Sequence, residues 1–310
     1  MKNLLFSGGG GAGTEALVHL LSDNYKLHFV DANQKNGAIP PVVGNDCQHS
    51  IPFADAPDYF DTLIDLLVSN NIDFYIPGVD EELKFIKSIN DILPHLNILA
   101  PDPEYIDRFI DKKTMAEVLA QKGLNNPGAY ELDCTDELPY PLFAKPRRGR
   151  GSRGVMRLDN DKDMKAYLQL AKGSSDNFIA QDLLLGDEYT VMMSANCNGV
   201  LCAIVPVYVM EKRGITTRAK VTEDATVIAE CQKIHNSITT KGCYNIQLMK
   251  TSDGRVIPFE INPRVSTTLC LGIAAGIDPF KNYLNMHPEG TLQKYKTGLT
   301  LSRYWTNIIE

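Results

Sequence analysis

The sequence predicts two architectures in series, an open α/β sheet domain followed by an α+β domain. Three observations carry this. Up to about residue 100, short apolar runs alternate with stretches of helical period, the pattern of a parallel sheet with helices on both faces. From Pro141 onward strand-like runs dominate. Near residue 250, two of those runs are joined by "TSDG", and Asp-Gly is a hairpin turn signal.

In the first part the expected strands are Leu4–Phe6, Leu27–Val30, Phe74–Ile76 and Ile98–Ala100. Helical stretches cover Thr14–Leu21, Tyr59–Asn70 and Glu81–Leu93. Between the first strand and helix lies "FSGGGGAGTEAL", in which Gly8, Gly10 and Gly13 fit G-x-G-x-x-G, and Asp31 ends the second strand. Strand, glycine turn, helix, strand and acid is the pattern of a dinucleotide site, so this stretch alone predicts an NAD(P)-dependent oxidoreductase. "APDPEY" marks the exit. One helix is expected over "DRFIDKKTMAEVLAQKGL", with Met115, Val118 and Leu119 on its apolar face, broken by "NNPGAY". Strands then follow at "PLFAKP", "GVMRL", "NFIAQDLL", "EYTVMMSANCNG" and "LCAIVPVYVM", a helix at Ala225–Thr239, the hairpin "YNIQLMK"/"RVIPFEIN", and a helical tail at "DPFKNYLNMH".

Composition narrows the function classes. The 310 residues, 44% hydrophobic and 22% charged, suffice for two or three packed units of a soluble globular chain. A net charge of −7 is a poor basis for general nucleic-acid binding. No apolar run reaches the roughly 18 to 20 residues of a membrane span, and the start is too short for a signal peptide. Seven cysteines (Cys47, Cys134, Cys197, Cys202, Cys231, Cys243 and Cys270), never in a C-x-x-C spacing, imply neither zinc nor a disulfide framework, which suits the cytoplasm.

Four constellations carry chemistry. In "FAKPRRGRGSRGV" a strand bearing Lys145 enters a loop with Gly149, Gly151 and Gly154, among which sit Arg147, Arg148, Arg150, Ser152 and Arg153. Glycines let backbone N–H groups approach phosphate and the basic side chains supply charge, although no Walker lysine follows. In "NIQLMKTSDGRVIPFEINPR" Gln247 lies on one hairpin strand, with Glu260 and Asn262 on one face of the other. Those three oxygen ligands suit Mg²⁺ completed by phosphates, and Arg264 is placed to clamp a phosphoryl group. In "FIAQDLLLGDEYTV" a strand-to-loop crossing offers backbone groups to a base, and Glu188 is a ribose candidate, with an exposed glutamate as the plain alternative. In "EKRGITTRAKV" Arg213, Arg218 and Lys220 converge on a loop, either as a site for an acidic co-substrate or phosphate in flight, or as a solvated basic loop.

Together these stretches resemble the ATP-grasp superfamily, most nearly one synthetase unit of the carbamoyl-phosphate synthase large subunit. The strongest likeness is "NIQLMKTSDGRVIPFEINPRVSTTLCLGIAAGIDP", supported by "AKPRRGRGSRGV" and "DKKTMAEVLAQKG". The resemblance implies a pre-ATP-grasp domain over 1–103 and an ATP-grasp domain over 104–310, with a lid subdomain at about 112–183 and a larger one at about 184–310. It implies ATP contacts from Lys112 (or Lys113), Lys145, Arg150, Gly151, Ser152, the hinge Gln181, Asp182, Leu183 and Leu184, and Glu188. It assigns Gln247, Glu260 and Asn262 to two Mg²⁺ (or Mn²⁺) ions, with Glu260 bridging, and Lys145, Arg218 and Arg264 to catalysis.

The implied activity is ATP-dependent ligation of a small-molecule carboxylate to an amine through an acyl phosphate, with no nucleic acid or membrane partner and a homodimer left open. Acceptor loops are expected at Gly78–Glu82, Arg213–Lys220 and Ser266–Thr268. The sequence has room for one synthetase unit and no glutaminase nucleophile motif, so glutamine-dependent carbamoyl phosphate synthesis by this chain alone is not expected. In this family the N-terminal glycine turn often packs a helix on the sheet or lines the acceptor site without holding NAD. The rivals are the oxidoreductase, which leaves the E-x-N-P-R strand unused, and a non-catalytic ATP-binding protein, which would need none of the three metal-ligand candidates.

Overall fold

A computed structural model describes residues 1–132, 138–171, 173–286 and 290–304; Cys134, among the cysteines above, lies outside them. Five parallel strands, β1 (Lys2–Ser7), β2 (Tyr25–Asp31), β3 (Gln48–Ser50), β4 (Phe74–Ile76) and β5 (Asn97–Ile98), form the first sheet in the order β3-β2-β1-β4-β5. Helices α1 (Thr14–Leu21), α2 (Tyr59–Ser69) and α3 (Ile86–Ile92) connect them. The order reverses between β1 and β4, so the carboxyl ends of these neighbours open a crevice at a switch point. Strand β3 was not expected, and the helix expected from Glu81 starts as a tight 3-10 turn, Asp80–Phe85, before α3.

The single helix expected over "DRFIDKKTMAEVLAQKGL" is two, α4 (Pro103–Phe109) and α5 (Lys112–Gln121). Asp111 divides them: its backbone is extended and its Oδ1 accepts from the N–H of Lys113 (3.0 Å) and Thr114 (3.3 Å), an N-cap inside an otherwise helical pattern. This cap fixes where Lys112 leaves the helix.

A three-stranded antiparallel sheet follows, β6 (Leu142–Pro146), β7 (Met156–Leu158) and β8 (Phe178–Asp182), ordered β7-β6-β8 and backed by α6 (Asp161–Leu170), which was not anticipated. The large sheet comprises β9 (Gly186–Ala195), β10 (Leu201–Arg213), β11 (Ile215–Val221), β12 (Gly242–Thr251), β13 (Val256–Asn262) and β14 (Thr300–Ser302), ordered β13-β12-β9-β10-β11-β14. Helix α7 (Ala225–Ser237) packs on β10, and α8 (Leu269–Ala274) and α9 (Pro279–Tyr283) follow β13.

The first sheet and the large sheet share a core. Leu4, Phe6, Phe29 and Phe74 belong to one buried cluster with Met192, Val205, Leu271 and Phe280. The Phe280 ring meets Phe6 and Phe74 edge-on, at 6.2 and 5.5 Å between centroids. An apolar seam of this kind holds the N-terminal sheet at a set position beside the large one. The three-stranded sheet has its own small cluster, with Leu132, Leu142, Ala144, Leu158, Tyr167 and Ala180.

Candidate active site

A cavity of about 330 Å³ lies between the three-stranded sheet and the β12–β13 end of the large sheet. Side chains alternate along β6, and Phe143 pairs with Gln181 of β8, so Phe143, Lys145 and Gln181 share the face that lines it. Lys145 is 6% exposed. Its Nζ donates to the Phe259 carbonyl at 3.2 Å and lies 5.5 Å from that ring's centroid. Burial pushes the ammonium down to about 7, helped by Lys112 and Lys212 and opposed by Glu260. Gln181 is 1% exposed, and neither end of its amide has a partner among the described residues. A buried amide left unpaired inside a cavity calls for a ligand with both a donor and an acceptor, as a nucleotide base has.

At the other end of this cavity, Lys112 reaches from the first turn of α5 to donate to the Gly149 carbonyl (3.0 Å), and its Nζ lies 3.4 Å from Glu260 Oε1. The alternative Lys113 turns elsewhere, to Glu131 and Glu117. The glycine loop is conformationally special: Gly149, Gly151, Gly154 and even Ser152 have positive φ. Its arginines divide in two. Arg147 and Arg148 spend their charge on Asp111, at 2.9 and 3.6 Å, and so anchor the loop to the α5 cap. Arg150 and Arg153 line the cavity, and Arg150 also reaches Glu81 of the N-terminal domain at 3.6 Å.

A second cavity of about 360 Å³ adjoins the first and shares Arg150–Arg153, Lys212 and Glu260 with it. In the β12–β13 register Gln247 faces Glu260 and Asn245 faces Asn262. Gln247, Glu260, Asn262 and Arg264 all line this second cavity. Just beyond the Gln247–Glu260 pair the register slips, leaving Phe259 as an extra residue on β13. Such a bulge re-aims the strand, and here the Phe259 carbonyl is the acceptor for Lys145. Arg264 pairs with Asp80 of the N-terminal domain and donates to the Val265 carbonyl (3.0 Å) and Asn262 Oδ1 (3.5 Å).

Among the described residues no three His, Cys, Asp or Glu side chains group as a metal site. The candidate set is one carboxylate and two amides, an all-oxygen set suited to a hard cation that draws its remaining ligands from phosphates.

Glu188 lines the first cavity but is held by Lys212 Nζ at 2.6 Å. Asp182, Leu183 and Leu184 line it too, as do Gly151 and Ser152. Arg218 is a correction. Residues Arg213, Arg218 and Lys220 do not converge on a loop but lie on the β10–β11 hairpin turned by Gly214. Arg218 sits opposite Glu211 and Ser302, exposed and outside both cavity walls, because the register slips between the Lys212–Thr216 and Glu211–Arg218 pairs, and the extra residue Thr217 turns Arg218 away from the face on which Lys212 and Thr216 line the site. Lys212, passed over in the sequence, takes the central place. It contacts Glu188 and, at 3.3 Å, Gln247 Oε1. Only its position in a basic stretch signalled it.

The N-terminal glycine turn is occupied by protein. Asp31 Oδ2 accepts from Gly10 N–H (2.9 Å) and Oδ1 from Asn33 N–H (2.8 Å). A methyl group on Gly9 would meet Phe29 at 2.9 Å and Ile39 at 3.0 Å, and one on Gly13 would come within 3.2 Å of the Thr267 carbonyl.

A family model described as an ATP-grasp domain matches residues 109–268. The chain is similar to the dimeric biotin carboxylase domain of the Hydrogenobacter thermophilus 2-oxoglutarate carboxylase, solved with MgADP, ADP and bicarbonate (12% identity, TM-score 0.70, covering 96% of this chain and 73% of that one). It is also similar to an L-amino acid ligase from Bacillus licheniformis (17%, 0.68, 92% and 73%) and to the N5-carboxyaminoimidazole ribonucleotide synthetase of Thermotoga maritima (19%, 0.64, 95% and 78%). At these identities the likeness is one of fold. The family model, by contrast, spans just over half of the sequence and covers the glycine loop at 147–154, residues 181–184 and the E-x-N-P-R strand, and the chain belongs to the ATP-grasp family.

Proposed function

We propose that this chain is an ATP-dependent ligase that joins a small-molecule carboxylate to an amine through an acyl phosphate, with release of ADP and phosphate. The observation that carries this reading is the common wall of the two cavities, where Glu260 stands between the cationic cleft and the pocket lined by Gln247, Asn262 and Arg264. In this reading ATP lies in the first cavity. Gln181 meets the base, Glu188 the ribose once Lys212 releases it, and Lys112, Lys145 and the Arg150–Ser152 segment the phosphates. Mg²⁺ or Mn²⁺, as two ions held by Gln247, Glu260 and Asn262, supplies charge neutralisation at the phosphates. Arg264 and Lys145 hold the transferring phosphoryl group in line with the carboxylate. The loop at 147–154 closes over the acyl phosphate and keeps water out.

Residues 1–103 serve as the pre-ATP-grasp domain, and 104–310 as the ATP-grasp domain with its lid and larger subdomain. A carbamoyl-phosphate-synthase-like reaction, with bicarbonate as the acid, is one member of this class. The homodimer is its candidate assembly. No helix among the described residues is long and apolar enough to cross a membrane.

The test is an ADP-release screen of carboxylates, bicarbonate included, crossed with amines. Turnover that needs both partners and a divalent ion is expected; ATP binding without turnover on any pair would leave the non-catalytic reading. In thermal shift, MgADP should raise the melting temperature and NAD should not; stabilisation by NAD alone would restore the oxidoreductase.

A further inference from the structure

A third cavity, of about 410 Å³, opens at the carboxyl ends of β1, β2 and β4, next to the site above, with which it shares Gly11 and Arg150. Its charge is opposite in sign. Four carboxylates line it, from Asp31, Asp55, Glu81 and Glu82, against one guanidinium, Arg150, already paired with Glu81. Ile51, Pro52, Phe53 and Val79 give it apolar walls.

Its floor holds Glu82, 5% exposed. Ser7 Oγ donates to Glu82 Oε2 and accepts from Gly78 N–H (2.7 Å), and Tyr75 OH donates to the same oxygen at 3.2 Å. Those partners are hydroxyls, and no lysine, arginine or histidine forms an ion pair with Glu82 among the described residues. A carboxylate kept this deep without a cation is costly, and such groups gather at functional sites. A second group points to a ligand independently. Tyr59 lines the same cavity and is 1% exposed, yet its hydroxyl has no hydrogen-bond partner among the described residues. Both groups sit at the switch point of the parallel sheet, where open α/β sheets bind ligands.

We infer that this cavity receives the amine co-substrate as a primary ammonium, paired with Glu82 and Tyr59, its apolar body against Ile51, Phe53 and Val79. The inference rests on the ligase reading for the word co-substrate, but the binding itself needs no nucleotide. It also divides the substrates by charge: the carboxylate goes to the arginine-rich pocket and the amine to the acidic one, with Arg150 on the boundary.

The test is calorimetry on the nucleotide-free chain with short primary amines, 2-phenylethylammonium among them, against 3-phenylpropionate and N-acetyl-2-phenylethylamine. Saturable binding of an amine is expected, absent for the anion and the neutral amide. Glu82→Gln should weaken it by about tenfold or more, the scale of one charge-assisted hydrogen bond. Equal binding of the anion or the amide, undiminished binding by Glu82→Gln, or no saturable binding of any amine would overturn the inference. Should Glu82→Gln fail to fold, Tyr59→Phe decides, since it removes only an unpaired hydroxyl: a severalfold loss supports the inference and unchanged affinity overturns it. MgADP titrated into the same wild-type preparation reports on the ligase reading alone, so the two failures are separable.

Discussion

The two glycine-rich turns, at 8–13 and 149–154, look alike in sequence and each rims a cavity lined by buried ionisable groups, but their glycines are not all there for the same reason. The first is packed. Gly9 lies against Phe29 and Ile39, Gly13 lies against the Thr267 carbonyl, and Asp31 ties down Gly10. The second is open. Beyond each glycine's own neighbours in the chain, no atom of the described residues lies within 4 Å of where a methyl group on Gly149 or Gly151 would sit, and both have positive φ. Close approach explains Gly9 and Gly13, and backbone conformation explains Gly149 and Gly151; Gly8 with φ +67° in the first turn, and Gly154 with Pro146 3.2 Å from an added methyl group in the second, show that each turn also uses the other reason. A glycine motif therefore states that a side chain is unwelcome, not why: in the N-terminal fingerprint Gly9 and Gly13 give room for packing, while Gly8 and Gly11 line a cavity.

If the chemistry belongs to the open turn's side of the molecule, the largest effect lies there. Glu260→Ala should lower divalent-ion-dependent ADP production by about a hundredfold or more, the scale of removing one preorganised electrostatic group, with an unchanged far-UV spectrum. Near-normal turnover would remove the metal assignment.

The next effect sets the turns against each other directly. Gly9→Ala drives a methyl group into Phe29 and Ile39 and should cost about 1 to 3 kcal/mol of stability, the usual price of overpacking, read from urea unfolding. Gly151→Ala meets no neighbour but places alanine at φ +69°. Held in place this strain would reach about 1 to 2 kcal/mol, but an open surface loop can shift to relieve it, so turnover should drop severalfold while the unfolding midpoint moves less than in Gly9→Ala. Exchange of the two phenotypes would break the comparison.

What the sequence could reveal of this site follows from locality. Gln247, Glu260 and Asn262 were legible as a group because strand alternation and a short hairpin fix their relation within twenty residues. The parallel order of the first sheet was legible from its alternation with helices. Arg218 was misjudged because a strand was taken for a loop, and because the extra residue at Thr217, which sends Arg218 to the face opposite Thr216, leaves no mark in the alternation. The helix break at Asp111, the slip at Phe259, the capture of Arg147 and Arg148 by Asp111, and the place of Lys212 all depend on contacts that alternation does not encode. The shared core around Phe280 is likewise a meeting of residues more than 200 positions apart.

The smallest expected effect concerns pH and the packed side. Burial pushes the Glu82 carboxyl up to about 7, against the hydroxyls of Ser7 and Tyr75 and the distant charge of Arg150, all of which favour the anion. Glu81 on the rim is the nearest like charge in sequence. In the empty cavity Glu82 is thus half protonated near neutrality, whereas a primary ammonium stays charged to about pH 10. Amine binding needs the carboxylate, so affinity should rise severalfold between about pH 6 and about pH 8 and then level off, with proton release on binding in the lower half of that window. Stability runs the other way: the folded chain binds a proton at Glu82 that the unfolded chain has already lost above about pH 4.5. This contribution is complete below that pH and is lost as pH rises through 7. Glu82→Gln should flatten both curves. An affinity that falls with rising pH in the wild-type chain would mean that the group at the cavity floor is not the one meeting the ligand.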